Sequence, residues 1–98
     1  MTAAGLYAWD ERKRASNLKK HGVDFAIVVN FDFETALVLR DDRKNYSEER
    51  YRAYGVIKGR LHALVFTRRE GRIRVISLRK SNAREIAAYA ASKKSSQA

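Results

Sequence analysis

The sequence predicts a single α+β domain over residues 1–98, with two N-terminal helices, a four-stranded and mainly antiparallel sheet, and a C-terminal helix. Three observations predict this class. The chain is 98 residues long, which is too short for two independent hydrophobic cores. Helix capping signals occur near both ends. Between them, β-rich segments are separated by the two-residue turns Lys58-Gly59 and Glu70-Gly71, which are typical of hairpins.

The first helix is predicted over residues 10–21. Asp10 is a suitable N-cap, and Gly22 is a suitable stop after the last turn. At helical spacing, Ala15 and Leu18 form a thin apolar edge. A polar, cationic stripe runs beside this edge and consists of Lys13, Asn17, Lys20 and His21.

The other two helices carry different signals. Asp24 can cap a short second helix through Phe31, although its β-branched residues Ile27, Val28 and Val29 are equally compatible with a strand. Asn82 and Glu85 resemble a capping box for a C-terminal helix through about Ser92. The residues of this helix expected to pack inward are Ala83, Ile86, Ala87, Tyr89 and Ala90. A polar, flexible tail is expected over about residues 93–98.

Four strands are predicted between these helices. Their approximate bounds are Thr35 to Arg40, Arg50 to Ile57, Arg60 to Arg68 and Arg72 to Arg79. The two glycine turns connect the last three strands as an antiparallel meander. An uninterrupted ladder from the Glu70-Gly71 turn pairs Phe66 with Val75, Ala63 with Leu78, and His62 with Arg79.

Positive charge is concentrated in the second half of the chain. The formal net charge is +10, from 21 Lys and Arg against 11 Asp and Glu. Residues 1–57 hold 10 basic and 9 acidic residues, whereas residues 58–98 hold 11 basic and 2 acidic residues. A local excess of this kind favours a polyanionic partner such as nucleic acid, although it also suits a solvated surface.

Several classes of function are excluded or disfavoured. Cysteine is absent, so disulfides, thiolate metal sites and cysteine nucleophiles are excluded. The two histidines lie 41 residues apart without a metal-binding spacing, and no glycine-rich nucleotide loop occurs, so neither a metal nor another cofactor is predicted. The longest apolar run, Phe25 to Val29, is too short to cross a bilayer. We therefore expect a cytoplasmic protein without a membrane partner.

The remaining chemistry is metal-independent cleavage of RNA by the substrate's own 2′-hydroxyl group. This reaction needs a base, cations that stabilise the phosphoryl charge, and an acid for the leaving oxygen. His21 can serve as acid or base near neutral pH, or can simply cap its helix. Lys13 and Lys20 bind phosphate if the polar stripe faces a groove, and are otherwise solvated lysines.

The strands offer further candidates. Glu49 is either a base or the ion-pair partner of Arg50, and the ion pair is favoured. Arg74 and Arg79 lie in a β-branched strand, where charge costs stability unless it is exposed or paired, and a phosphate-binding role is slightly favoured. Trp9 is expected to pack in the core just before the first helix.

Taken in order, these segments resemble BrnT-type toxins over about Trp9 to Tyr89. The pattern comprises Trp9-Asp10, Lys13, Asn17, Lys20-His21-Gly22-Val23, Phe25, Phe31, Ser47-Glu48-Glu49-Arg50-Tyr51, Gly55, Gly59-Arg60-Leu61, Thr67-Arg68, Ile73-Arg74-Val75-Ile76-Ser77, Arg79, Arg84-Glu85 and Tyr89. The resemblance implies a RelE-like fold and a metal-independent endoribonuclease toxin of a type II toxin–antitoxin module, which inhibits translation and growth. It also implies a BrnA-type ribbon-helix-helix antitoxin as partner, through which the complex reaches operator DNA.

The resemblance and the charge pattern together define the predicted site. The catalytic candidates are Lys20, His21, Glu49, Arg50, Arg74 and Arg79. The candidates for RNA binding are Lys13, Arg60, Arg68 and Lys80. The chain departs from the family pattern at Ala26 and Ile27, where acidic residues are common, and at Leu78 and Lys80. The alternative function is a non-catalytic basic module with the same fold that binds nucleic acid or protein.

Overall fold

A five-stranded mixed sheet forms the centre of the computed structural model, which describes residues 3–97. The strands are β1 (Tyr7–Trp9), β2 (Leu37–Arg40), β3 (Tyr51–Ile57), β4 (Arg60–Arg69) and β5 (Arg72–Lys80). The α-helices are α1 (Glu11–His21) and α2 (Ala83–Gln97), and two 3₁₀ helices span Ala3–Leu6 and Phe25–Asn30. The α+β class and the β3–β4–β5 meander agree with the prediction.

The sheet has one strand more than predicted. The strand order is β1-β5-β4-β3-β2, and β1 runs parallel to β5 while every other neighbouring pair is antiparallel. The prediction of four strands is therefore wrong, because β1 has only three residues and is too short to show a period-two pattern. Trp9, at the end of this strand, packs edge-on against Phe25 and so lies against the core as expected.

Helix α1 has the predicted caps but a different buried face. The Asp10 carboxylate accepts hydrogen bonds from the first turn, and Gly22 closes the helix with a left-handed φ of 71°. Ala15 and Leu18 are exposed, so the predicted apolar edge is wrong. The helix instead buries Asn17, which belongs to the polar stripe.

The Asn17 side chain attaches α1 to the edge of the sheet. Its amide nitrogen donates to the backbone carbonyls of Leu78 (2.6 Å) and Val23 (3.0 Å), and its oxygen accepts from the Leu78 N–H (3.2 Å). The amide thereby pairs with the backbone of a β5 residue that lies beyond the end of the short β1–β5 pairing at Val75. A buried amide with its hydrogen bonds made fixes the helix against the strand.

The second predicted helix is a 3₁₀ helix whose N-cap is Asp24, as expected. Its segment covers one side of the sheet, which we call the core face. The buried cluster consists of Val23, Phe25, Val28, Phe31, Ala53, Ile57, Leu64, Phe66, Val75 and Leu78. At Gly55, a Cβ atom would lie 2.5 Å from the Phe31 ring, so this glycine lets the ring rest directly on β3.

An irregularity in the β4–β5 ladder changes the predicted register. Phe66 lies opposite Val75 as predicted, but Val65 lies opposite Ser77, so Ile76 is an extra residue in β5. Beyond this β-bulge, Leu64 pairs with Leu78 and Ala63 pairs with Arg79. The predicted pairs of Ala63 with Leu78 and of His62 with Arg79 are therefore wrong by one residue.

Helix α2 does not pack as predicted. The capping box is present, because the side chain of Asn82 and the carboxylate of Glu85 each accept the other residue's backbone N–H. Four of the five residues expected to pack inward are exposed, and only Tyr89 is half-buried. Its hydroxyl donates to the Thr35 carbonyl across 3.0 Å. The helix continues to Gln97, and Ala98 of the predicted tail lies outside the described residues.

Candidate active site

The face of the sheet opposite the core face, which we call the open face, forms the floor of a cleft of about 560 Å³. The register places Arg52, Val65 and Ser77 in one row across β3, β4 and β5, and Tyr54, Ala63 and Arg79 in the next row. Directly opposed residues of an antiparallel sheet point to the same side, so these six side chains share the open face. The bulge at Ile76 is what brings Arg79 to this face.

Three other segments supply the walls of the cleft. Lys20 comes from the last turn of α1, and Glu85 from the first turn of α2. The connection between β2 and β3 contributes a third wall, which consists of Asp41, Arg43, Lys44, Tyr46 and Arg50. Six basic and two acidic side chains therefore line the cleft, which leaves a net of four positive charges. Such a cleft attracts an anionic ligand.

Asp41 organises the basic wall. Its fully buried carboxylate accepts two hydrogen bonds from Arg43, at 2.6 and 2.8 Å, and lies 3.9 Å from the Nε of Arg52. The hydrogen bonds from Arg43 hold the pKa of Asp41 below its ordinary value, and the same pair raises the pKa of Arg43. Asp41 is therefore an anion that fixes the guanidinium group of Arg43 at the cleft and lies within ion-pair distance of Arg52.

Arg79 is held by the other carboxylate of the cleft. Its guanidinium donates to both carboxylate oxygens of Glu85, at 2.7 and 2.8 Å. This pairing lowers the pKa of Glu85 and raises that of Arg79. The Arg79 side chain keeps about a third of its surface exposed, so a ligand in the cleft has access to it.

Arg50 stands on the opposite wall, where its guanidinium carbon lies 4.1 Å from the centre of the Tyr46 ring. Its ion pair is with Glu48, at 3.9 Å, and not with Glu49. The carboxylate of Glu49 instead accepts from the Tyr51 hydroxyl (2.9 Å) and lies 3.4 Å from the Arg40 guanidinium. Glu49 lines a neighbouring cavity that shares Arg50 with the cleft.

His21 lies beside the cleft on the α1 side. It lines an adjoining cavity with Lys13 and Lys20, and this cavity shares Lys20 and Ser77 with the cleft. The whole polar stripe of α1 therefore faces this cavity. Burial, followed by the charges of Lys20 and Arg79, lowers the pKa of His21 below 6.5. This shift favours the neutral imidazole, which is able to accept a proton.

The structure does not bring all the predicted site residues together. Lys20, Arg50 and Arg79 line the cleft, with His21 and Glu49 in the cavities on either side. Arg74 lies away from them, near the β4–β5 turn, in a depression that it lines with Arg69 and Arg72. Of the residues predicted to bind RNA, Lys13 adjoins the cleft, Arg68 lies near the β4–β5 turn, and Arg60 and Lys80 lie at the opposite end of those strands.

Two further features of the described residues bear on the chemistry. Within residues 3–97, no group of three His, Cys, Asp or Glu side chains is placed to hold a metal ion. In the same part of the chain, no helix is both long and apolar enough to cross a membrane.

Comparison with known families identifies one match. Residues 9–85, more than three quarters of the chain, match the family model described as the ribonuclease toxin, BrnT, of a type II toxin–antitoxin system. The chain belongs to the BrnT family of ribonuclease toxins. Membership implies an RNA substrate and an antitoxin partner, and it confirms the resemblance on which the sequence prediction rests. No curated protein matches the chain.

Several cleft residues of this BrnT toxin are missing from the predicted site: Asp41, Arg43, Tyr46, Arg52, Tyr54 and Glu85. Arg52 and Tyr54 had a usable signal, because they alternate with the small residues Ala53 and Gly55 and so share one face of β3. No comparable signal marks Asp41 and Arg43, because a polar stretch between strands is typical of an ordinary connection.

Proposed function

We propose that the cleft is the active site of a metal-independent endoribonuclease, whose activity inhibits translation and growth. The observation that carries the proposal is the convergence of Lys20, Arg50 and Arg79, from three distant parts of the sequence, on one cleft with a net positive charge. A scissile phosphate bound there meets ammonium and guanidinium groups that stabilise the charge growing on its oxygens.

The reaction we propose is attack of the 2′-hydroxyl on the adjacent phosphorus, with release of the 5′-oxygen. The neutral imidazole of His21 takes the 2′-hydroxyl proton, and its position beside Lys20 and Arg79 supports this assignment. A proton from a cationic group of the cleft then neutralises the leaving oxygen. No step requires a metal ion, which agrees with the cationic lining of the cleft.

The proposed antitoxin is of the BrnA type, with a ribbon-helix-helix region that binds operator DNA. The basic cleft gives such a partner a surface to neutralise, since an acidic or hydrogen-bonding segment laid across it blocks access of RNA. Operator DNA is then contacted by the antitoxin and not by the cleft.

The test is cleavage of a labelled RNA by the purified protein in the presence of EDTA. We expect cleavage by the wild type and a loss of about 100-fold in rate for Arg79→Gln, because removing one donor to a developing oxyanion costs about that much. His21→Gln is expected to lose activity as well. Arg84→Gln is the matched control, because it removes an exposed arginine outside the cleft.

Two results would contradict the proposal. RNA that is bound but stays intact with the wild type supports a non-catalytic binding module. Full activity of both the Arg79 and the His21 variants shows that the cleft is not the active site. Because Arg79→Gln also leaves Glu85 unpaired, Arg79→Lys serves as a second variant that keeps the charge, and a thermal melt confirms folding of each protein.

A further inference from the structure

A second basic cluster lies at the β4–β5 turn, on the open face but away from the cleft. Arg69, Arg72 and Arg74, which we call the hairpin cluster, line a depression of about 350 Å³ together with Ala8 and Glu70. Arg74 and Arg79 both lie on the open face of β5, because the bulge between them restores the side that their spacing would otherwise reverse. The hairpin cluster therefore continues the basic surface of the cleft along β5.

The hairpin cluster places like charges against each other. Arg69 and Arg72 lie directly opposite in the ladder, an arrangement that costs stability in a sheet. An exposed ion pair between Arg69 and Glu48, at 3.2 Å, offsets part of this repulsion. Among residues 3–97, no carboxylate lies within ion-pair distance of Arg72 or Arg74, although Arg74 contributes to lowering the pKa of Asp10. A polyanion at this position removes the repulsion.

We propose that the hairpin cluster is a second RNA-binding site, which holds the phosphate backbone of the single strand on one side of the cleavage point. This inference rests on the proposed function of the cleft. Arg72 and Arg79 are seven residues apart in β5, which corresponds to about 20 Å along the strand. A trinucleotide bound in the cleft is too short to reach Arg72, whereas a long strand spans both sites.

The contacts at this site are to backbone phosphates and therefore do not read sequence. No aromatic side chain lines the depression within the described residues, so base stacking does not contribute there. The site adds affinity for long RNA and leaves the chemical step in the cleft unchanged. It also makes the binding of RNA asymmetric, because the hairpin cluster lies at only one end of the cleft.

The test compares wild type with the double variant Arg72→Gln/Arg74→Gln on two substrates, a trinucleotide and a long unstructured RNA. For the long RNA we expect KM to rise about tenfold at low salt with kcat unchanged. The slope of log Kd against log salt should become shallower by about 1.4, from two lost phosphate contacts to a single strand. For the trinucleotide, both kcat and KM should stay at wild-type values.

The matched control is Arg84→Gln/Lys94→Gln, which removes the same charge from exposed positions on α2. An equal rise in KM for this control shows that net charge alone is responsible and overturns the proposal. So does an unchanged KM for long RNA in the hairpin variant, or an equal loss on both substrates, which places the two arginines in the cleft reaction. If the double variant does not fold, Arg72→Gln alone gives the same comparison at an exposed position.

The experiment also distinguishes this inference from the proposed function. If the wild type cuts neither substrate, the proposed endoribonuclease activity fails, and the salt dependence of long-RNA binding still tests the hairpin cluster. If the double variant binds RNA normally but no longer binds the antitoxin, the depression is a protein-binding surface and the inference is wrong.

Discussion

The two faces of this sheet are built from the same strands, but one is buried in the core and the other lines the cleft. On the core face, Leu64, Phe66 and Leu78 have no more than 1% of their surface exposed and pack beneath the Phe25–Asn30 helix. On the open face, Arg52 of β3 and Arg79 of β5 line the cleft. Stability therefore depends on one face, and the proposed recognition of phosphate depends on the other.

The bulge at Ile76 is what keeps the two faces separate. Val75 and Leu78 are three residues apart, so regular alternation would send one of them to the solvent side. One extra residue between them allows both to be buried at 1% or less, and it turns Arg79 to the open face. A local irregularity, and not a change of composition, therefore assigns Arg79 to the cleft.

The largest effect is expected from truncating neighbouring residues of β4 that point to opposite faces. Phe66→Ala should lower the free energy of unfolding by about 3–5 kcal/mol, because it removes a buried ring that stacks on Tyr51 and contacts Phe33. Val65→Ala, on the half-buried open face, should cost about 1 kcal/mol or less. Urea unfolding of the two variants measures both values.

Equal losses for the two variants would show that the open face is as tightly packed as the core face. A small loss for Phe66→Ala would mean that the core can collapse around the missing ring. In either case, the assignment of stability to the core face would be wrong.

A smaller effect is expected at Asn17, which attaches α1 to the edge of the sheet. Asn17→Leu keeps the volume of the side chain but leaves the backbone N–H and carbonyl of Leu78 without their partners, which should cost about 1–3 kcal/mol. The same variant should slow RNA cleavage, because α1 positions Lys20 at the cleft. Lys19→Gln, an exposed change on the same helix, is the control and should alter neither quantity.

An Asn17→Leu protein with wild-type stability would contradict the structural role of these hydrogen bonds. A protein that is less stable but cleaves RNA at the normal rate would show that the attachment of α1 does not position Lys20. Unfolding and cleavage are therefore measured on the same preparations.

Local chemistry explains what the sequence could predict of the fold. Caps depend on residues within one turn, so Asp10, Gly22 and the Asn82–Glu85 capping box were identifiable. The hairpin turns were identifiable for the same reason. The parallel pairing of β1 and the burial of Asn17 both depend on partners about 60 residues away, which no local pattern encodes.

The candidate site was predictable only in part, for a related reason. Lys20, Arg50 and Arg79 were predicted from their charge and from the family resemblance, and the fold places them in one cleft. Arg74 was selected on the same grounds but lies in the hairpin cluster, because charge indicates affinity for phosphate and not position. The bulge cannot be read from the alternation of β5, since Ile76 and Ser77 fit either register.

The smallest expected effect concerns His62, whose ring is buried on β4 without an acidic partner in the ladder around it. Its Nδ1–H donates to the Arg60 carbonyl across 2.8 Å, and burial, with the charges of Arg60 and Lys80, lowers its pKa below 6.5. The unfolded chain therefore takes up this proton at a higher pH than the folded chain does. The stability linked to His62 is fully present well above pH 6.5, and it is lost as the pH falls through the lowered pKa of the folded state.

Replacing His62 should flatten this pH dependence without the loss of packing caused by truncating Phe66. We expect His62→Gln to lose less stability than wild type between about pH 7 and about pH 5.5, as measured by urea unfolding at each pH. His21 contributes in the same direction, because its pKa is lowered too, so His21→Gln is measured in parallel. If His62→Gln keeps the wild-type pH dependence while His21→Gln loses it, the responsible proton binds at His21, beside the cleft, and not at the buried His62 of β4.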